Sequence, residues 1–103
     1  MATIIVLFNL KEGVAREDYE EWARSTDLPV VRNLGSVDQY DVFRSSGLLG
    51  SDSSAPFEYI ELIAINDGDA FSKDIGTDVM TKVAAQFQSF ADNPQFLMTD
   101  KLS

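Results

Sequence analysis

Two acidic residues stand where a carboxyl group could take part in chemistry, and the first is Asp27. It ends a segment with helical periodicity and precedes Leu28-Pro29, so it lies near a helix C-terminus, where the helix dipole disfavours an anion. Compensation would come from Arg24, Arg32 or Arg44. One interpretation makes Asp27 a cleft carboxylate that orients a donor or takes up a proton. The alternative is an exposed acid or a cap for the next turn.

The second acidic residue, Glu61, interrupts an apolar strand face that consists of Phe57, Tyr59, Ile63 and Ile65. If this face points into the interior, burial raises the pKa of Glu61 towards neutrality, as a general base requires. If the face is open to solvent near a sheet edge, or if Glu61 pairs with an arginine, its role is structural. The alternation alone leaves both possibilities open.

Five further residues are candidates for ligand binding, each with a structural alternative. The tyrosines could present hydroxyl groups to a ligand, although a core tyrosine more often buries its ring and finds one partner. The arginine could grip a carboxylate with two hydrogen bonds or form a surface ion pair. The asparagine ends the first strand, and the tryptophan lies in a helical stripe that favours a core position. These candidates are Asn9, Trp22, Tyr40, Arg44 and Tyr59.

The composition argues against a metal or cofactor site. The sequence contains neither histidine nor cysteine, which removes the commonest general base, the usual haem ligand and all thiolate chemistry. Asp67, Asp69 and Asp74 resemble a calcium loop only loosely, since the glycine and glutamate of EF-hand spacing are missing. We therefore expect no metal and no cofactor.

The charge balance limits the possible partners. Seventeen acidic residues against eight basic ones give a net charge of -9. Phosphate neutralisation needs clustered lysine and arginine, so binding to nucleic acid or to an anionic membrane surface is disfavoured. The N-terminal apolar stretch lacks a basic segment and a cleavage site and is too short to cross a bilayer. A cytoplasmic location is the simplest expectation.

The periodicity changes along the chain in a way that orders the elements. Residues 3–9 are apolar on both faces of a predicted strand, and a helix is predicted from about residue 14 to Asp27, with a further loose turn to Asn33. Residues 36–45 form a second strand whose slipped alternation indicates a bulge or a half-open edge. Residues 46–56 form an exposed loop.

The second half of the chain repeats this scheme. Residues 57–66 form the clearest strand, and a short helical turn at residues 70–72 follows. A long helix runs from about residue 77 to residue 91, after which 92–94 break it and 95–99 form a last short strand.

This order is β-α-β-β-α-β, and residues 1–103 therefore form a single α+β domain. The commonest such fold is the ferredoxin-like sandwich, a four-stranded antiparallel sheet with both helices on one face. Because the first and third strands are apolar on both faces, the uncovered sheet face needs a partner. The simplest partner is a second copy of the chain, which predicts a homodimer.

The residues around the first helix carry a family resemblance. Arg16-Glu17-Asp18-Tyr19 spells the motif of the REDY-like (HapK) proteins, and Trp22, Asp27-x-Pro29 and Leu34-x-Ser36-Val37 follow that family's first half. The resemblance covers about residues 3–45, and element order extends it. The chain is similar more widely to the dimeric α/β-barrel superfamily, in which two ferredoxin-like protomers pack sheet against sheet with a small-molecule cleft in each.

The resemblance implies a role near the biosynthesis of a pigment-type secondary metabolite, but it assigns no reaction. EthD-like relatives have His-x-Pro where this chain has Asp27-Leu28-Pro29, so a role for that histidine does not transfer. The haem-degrading branch ligates haem through histidine and is set aside. Cofactor-free monooxygenases of this fold use asparagine, tryptophan and other aromatic residues, with which Asn9, Trp22 and the tyrosines are compatible.

Two hypotheses follow. In the first, the protein binds an apolar or aromatic metabolite between sheet and helices. It then catalyses a cofactor-free oxygenation, cyclisation or isomerisation through Asp27, Glu61 and the tyrosines. In the second, it is a non-catalytic binding or accessory protein of a biosynthetic pathway.

Overall fold

The computed structural model describes residues 2–103, and an antiparallel sheet organises them. Its strands are β1 (Ala2–Leu10), β2 (Val37–Arg44), β3 (Tyr59–Ile65) and β4 (Ala91–Asp100). They lie in the order β2-β3-β1-β4, and each neighbouring pair is antiparallel. Together with the helices on one face, this order confirms the predicted ferredoxin-like α+β fold.

The helical segment between β1 and β2 has about the predicted extent, but it is more irregular than the predicted helix with its loose last turn. It consists of α1 (Arg16–Trp22), a π-helical turn (Ala23–Asp27) and α2 (Leu28–Arg32). Pro29 lies in the first turn of α2, where its missing N–H group is tolerated. Helical geometry therefore continues beyond Asp27 to Arg32, where the sequence predicted a loose turn.

The second helical segment is formed by α3 (Gly68–Ile75) and α4 (Asp78–Phe90). Asp67 caps α3 by accepting a hydrogen bond from the backbone N–H of Ala70 at 3.1 Å. Thr77 caps α4 in the same way. The short turn predicted at residues 70–72 is thus the middle of a complete helix.

The last strand begins earlier than the sequence predicted. Residues 92–94 were expected to separate the helix from a short strand, but β4 already starts at Ala91, directly after α4. Asn93 has a positive φ of 48°, and the pairing with β1 shifts register between Leu7 and Asn9. The strand therefore absorbs the Asp92-Asn93-Pro94 segment as a bulge. The irregularity predicted in β2 is confirmed by a register shift between Val37 and Gln39.

The core lies between the sheet and the helices. Ile4, Val6 and Phe8 of β1 are buried on this inner face. The Phe8 ring lies 5.5 Å from the rings of Tyr19 and Tyr59 and 5.0 Å from that of Phe87, measured between centroids. One β1 side chain thus joins α1, β3 and α4, and this packing holds both helical segments on the same sheet face.

The opposite surface, here called the outer sheet face, is also apolar. Side chains alternate along a strand, so the residues between the buried ones point away from the helices. Ile5 pairs with Leu62 of β3 and Leu97 of β4, and Leu7 pairs with Ile60. No helix covers these side chains in the described residues 2–103.

Within the same residues, no helix combines the length and apolar character that crossing a bilayer requires.

Candidate functional site

The π-helical turn positions Asp27. The backbone N–H of Leu28 bonds to the carbonyl of Ala23, five residues back, which widens the helix by one residue at this point. Asp27 is only 4% exposed and points inward, although the residue lies on a helical segment with charged outer positions. Single π-helical turns inside helices occur frequently at functional sites.

Asp27 is compensated by a tyrosine and not by an arginine. The hydroxyl of Tyr40, on β2, donates a hydrogen bond to Oδ2 of Asp27 at 2.6 Å. Burial raises the pKa of Asp27 to about 6, and the Tyr40 hydrogen bond opposes this effect. Burial and the neighbouring carboxyl groups raise the pKa of Tyr40 far above its ordinary value, so its hydroxyl stays protonated and donates.

None of the three arginines proposed to compensate Asp27 does so. Arg24 and Arg44 both contact Glu20, at 3.2 Å and 2.9 Å. Arg32 donates to the backbone carbonyl of Tyr40 at 2.8 Å and pairs with Asp41. The guanidinium groups stay at the protein surface because burying them would remove their hydration.

Glu61 is buried, which is one of the two possibilities that the sequence left open. It lies on the inner face of β3, is 4% exposed, and its Oε2 atom has no hydrogen-bond partner in residues 2–103. Burial first, and then the charge of Asp27, raise the pKa of Glu61 to about 8. The two carboxyl groups interact, so the pair releases its protons in two coupled steps.

Tyr19 is a site residue that was not among the candidates drawn from the sequence. Its ring is fully buried, and its hydroxyl is the second buried polar group without a partner. This hydroxyl lies beside Glu61 and lowers the pKa of that carboxyl, although no hydrogen bond of ordinary geometry joins them. Burial and the charge of Glu61 raise the pKa of Tyr19. Tyr19 lies on a helix and Glu61 on a distant strand, and only the fold brings them together. No local pattern in the sequence therefore indicates that Tyr19 belongs to the site.

The two acids and Tyr40 line one cavity of about 520 Å³ between the sheet and the helices. Its other walls are mainly apolar and come from β1, β3, β4 and the helices α2, α3 and α4. These lining residues include Ile4, Val31, Ile63, Phe71, Met80, Val83, Phe87, Phe96 and Met98. A cavity of this size and character suits a small organic ligand.

The exposure of the lining residues gives the cavity a direction. Glu61, Val6 and Phe96 form one row across three strands, which separates Glu61 from Phe96 by roughly 10 Å. Phe96 and Met98 are 55% and 69% exposed, and Ile75 of α3 is 44% exposed. The carboxyl groups therefore mark the closed end, and an apolar rim on α3 and β4 marks the mouth.

The other four predicted ligand-binding residues lie outside this cavity. Tyr59 donates to Glu20 at 2.7 Å, and Arg44 pairs with the same carboxylate. Desolvation raises the pKa of Glu20, but the Tyr59 and Arg44 hydrogen bonds outweigh it and lower that pKa. Trp22 donates to Gln86 at 2.8 Å, and Asn9 accepts from the backbone of Glu58 at 2.9 Å. The contacts of Glu20 and Trp22 join α1 to the sheet and to α4, and the Asn9 contact joins the end of β1 to the residue that precedes β3.

The described residues contain no group of three histidine, cysteine or acidic side chains arranged to hold a metal ion. The carboxyl pair has tyrosine hydroxyls as its polar neighbours, which favours proton transfer or hydrogen bonding as its chemistry.

Replacing Tyr40 with phenylalanine is expected to destabilise the protein by about 1.5–3 kcal/mol at pH 8, because a buried carboxylate loses its donor. The loss should shrink at pH 5, where Asp27, with a pKa of about 6, is protonated. Urea unfolding at both pH values measures this difference. Tyr59→Phe is the matched control, since Glu20 keeps two arginine partners. An equal loss at both pH values would contradict the Tyr40–Asp27 assignment.

Comparison with known proteins shows similarity in sequence and in fold. The chain matches the family described as REDY-like protein HapK over residues 2–102. No functionally curated protein matches it. Among solved structures, HapK from Hahella chejuensis is 30% identical, with a TM-score of 0.81 over 99% of this chain and 93% of that one.

Two more distant structures share the fold. An EthD family protein from Bacillus halodurans is 17% identical, with a TM-score of 0.76 over 99% of both chains. SnoaB from Streptomyces nogalater, a cofactor-independent oxygenase, is 13% identical, with a TM-score of 0.77 over 99% of this chain and 93% of that one.

Proposed function

Given that the chain belongs to the REDY-like HapK family, we propose that it binds a small, largely apolar metabolite and uses its buried carboxyl groups as a general base. The observation that carries this proposal is a pair of acids, Asp27 and Glu61, at the closed end of an otherwise apolar cavity. Burying two acids lowers stability, and such an arrangement is common where function requires it.

The chemistry follows from the two environments. Asp27 holds a hydrogen bond from Tyr40, while Glu61 has an unpartnered oxygen and the higher pKa, about 8. A carboxylate in an apolar cavity is a stronger base than one in water, since it lacks hydration. A bound ligand with an acidic C–H, N–H or O–H bond gives its proton to this pair and keeps the electron pair of the broken bond.

A role in secondary metabolism, without a cofactor, belongs to the same proposal. SnoaB is a cofactor-independent oxygenase with this fold, so the scaffold accommodates chemistry that uses no resident group. At 13% identity the likeness supports a shared fold.

A homodimer is the assembly we propose. The two central strands of the outer sheet face present a group of apolar side chains, among them Ile5, Leu7 and Leu62, which a monomer would expose to water. One fold relative, from Thermobifida fusca, is a dimeric ferredoxin-like protein of unknown function, 11% identical with a TM-score of 0.78. Pairing the two outer faces leaves the cavity mouth, on the helical side, open to solvent.

Native mass spectrometry of freshly purified protein tests ligand binding, with one retained small molecule per protomer as the expected result. Nitrobenzisoxazole, an uncharged aromatic probe, tests the base. Removal of its one acidic C–H proton breaks the N–O bond and releases a coloured phenolate.

We expect a rate that increases with pH towards pH 8 and that falls at least ~100-fold in Glu61→Gln, the low end of general-base contributions. Glu21→Gln, at an exposed position of α1, is the matched control and should keep the rate. A retained ligand without any Glu61-dependent rate would favour the alternative, a non-catalytic binding protein, because Tyr40, Asp27 and Glu61 can also hold a ligand without reaction.

A further inference from the structure

The charge distribution around the cavity restricts the class of ligand. We infer that the ligand is a largely apolar molecule that carries an N–H or O–H donor and no anionic group. This inference rests on the proposed function and specifies the ligand of the same cavity.

The cavity contains negative charge without a compensating cation. Its two ionisable acids are Asp27 and Glu61, and none of its lining residues within 2–103 is a lysine or an arginine. A sulfonate, phosphate or carboxylate in this space would face a like charge in a partly desolvated environment, where Coulomb repulsion is stronger than in water. The net charge of -9 adds repulsion at longer range.

The arginines cannot supply that cation without breaking existing contacts. Each pairs with a carboxylate that does not line the cavity: Arg16 with Glu58, Arg24 and Arg44 with Glu20, and Arg32 with Asp41. Two lysines, Lys73 and Lys82, lie on the helices that line the cavity, but both are exposed and absent from its walls. An organic acid therefore has no counter-ion in the cavity.

The need for a donor follows from Asp27. A carboxylate has about four acceptor positions, and Asp27 receives one hydrogen bond, from Tyr40. That hydroxyl donates to Asp27 and has no second proton to offer a ligand. An N–H or O–H group on the ligand would bond to Asp27, whereas a ligand with acceptors only would leave the buried carboxylate unsatisfied.

The walls determine the rest of the molecule. Phe71, Phe87 and Phe96 contribute aromatic rings, and Met80 and Met98 contribute flexible thioethers. Such walls suit flat, ring-containing ligands, because aromatic and thioether groups adapt to an apolar ring face.

A matched pair of fluorescent probes tests this inference at pH 8, with the full-length protein. N-phenyl-naphthylamine and anilinonaphthalenesulfonate share their rings and their N–H donor, and they differ by one sulfonate group. We expect the uncharged probe to bind at least tenfold more tightly. The N-methyl derivative of the uncharged probe lacks the donor and should bind more weakly than its parent.

Variants assign these differences to the cavity. Asp27→Asn or Glu61→Gln should reduce the preference against the sulfonate, while Glu21→Gln removes the same charge at an exposed site and should leave the preference unchanged. Equal affinity of the two probes in the wild type would overturn the inference and leave the proposed cavity function in place. Binding of neither probe would count against the proposed function and the inference together.

Discussion

Replacing Glu61 with glutamine is expected to favour the folded state more at pH 8 than at pH 5. The difference in free energy of unfolding between Glu61→Gln and wild type should shift by on the order of 3 kcal/mol between these pH values. The folded state raises the pKa of Glu61 from 4.5 to about 8, so the folded protein keeps a proton that the unfolded chain releases. Stability contributed by this proton is complete below about pH 4.5 and is lost as the pH rises through about pH 8. Glutamine does not ionise, and its stability lacks this dependence.

Urea unfolding of both proteins between pH 5 and pH 8, at one fixed protein concentration, measures the effect. Burial raises the pKa of Asp27 to about 6, so a second loss of stability occurs as the pH rises through about pH 6. This loss should remain in Glu61→Gln and disappear in Asp27→Asn. The control Glu21→Gln should follow the wild-type curve. If wild type and Glu61→Gln lose stability in parallel, Glu61 is not the buried acid described here.

Placing a charge on the outer sheet face is expected to convert a dimer into a monomer. Leu62 pairs with Ile5 and Asp41 in the sheet and points away from the helices. Leu62→Glu would bury two like charges across a symmetric interface, which costs several kcal/mol. Light scattering at micromolar concentration should report two chains of 11.4 kDa for the wild type and one for the variant.

The controls separate association from folding. Val79→Glu introduces the same charge at a 59% exposed position of α4 and should stay dimeric. Far-ultraviolet circular dichroism checks that Leu62→Glu is folded, and Ile5→Thr provides a milder change on the same face. A wild-type mass of 11.4 kDa at micromolar concentration would exclude the dimer.

Both predictions concern features that lower the stability of an isolated chain. The buried acids favour protonation, and the outer sheet face exposes apolar side chains to water. The neighbours of Glu61 on the same face of β3 are Tyr59 and Ile63. A protein selected for stability alone would have a residue of that kind in place of Glu61. The acid and the apolar face are explained together if the chain binds a ligand on one side of its sheet and its own copy on the other.

Several features of this protein follow from local sequence patterns alone. The element order follows from a strand at residues 3–9 that is apolar on both faces, from the helix that contains Tyr19 and Trp22, and from the turn residues. This order predicts the ferredoxin-like sheet. The slipped alternation in β2 predicted its bulge. Periodicity succeeds here because each signal depends on residues within a few positions of one another.

The site depended on contacts that no local pattern contains. Tyr40 lies 13 positions from Asp27 in sequence, and their pairing requires α2 to fold back over β2. The face of β3 that carries Glu61 became the interior only because Phe8 and the helices pack on that side. The π-helical turn that directs Asp27 inward has no sequence signature, and the candidates Arg44 and Tyr59 were drawn to Glu20 instead. The sequence by itself determined which elements form and in what order. Only the tertiary structure decided which acids are desolvated and which tyrosines meet them, because burial and hydrogen bonding between distant residues depend on how those elements pack.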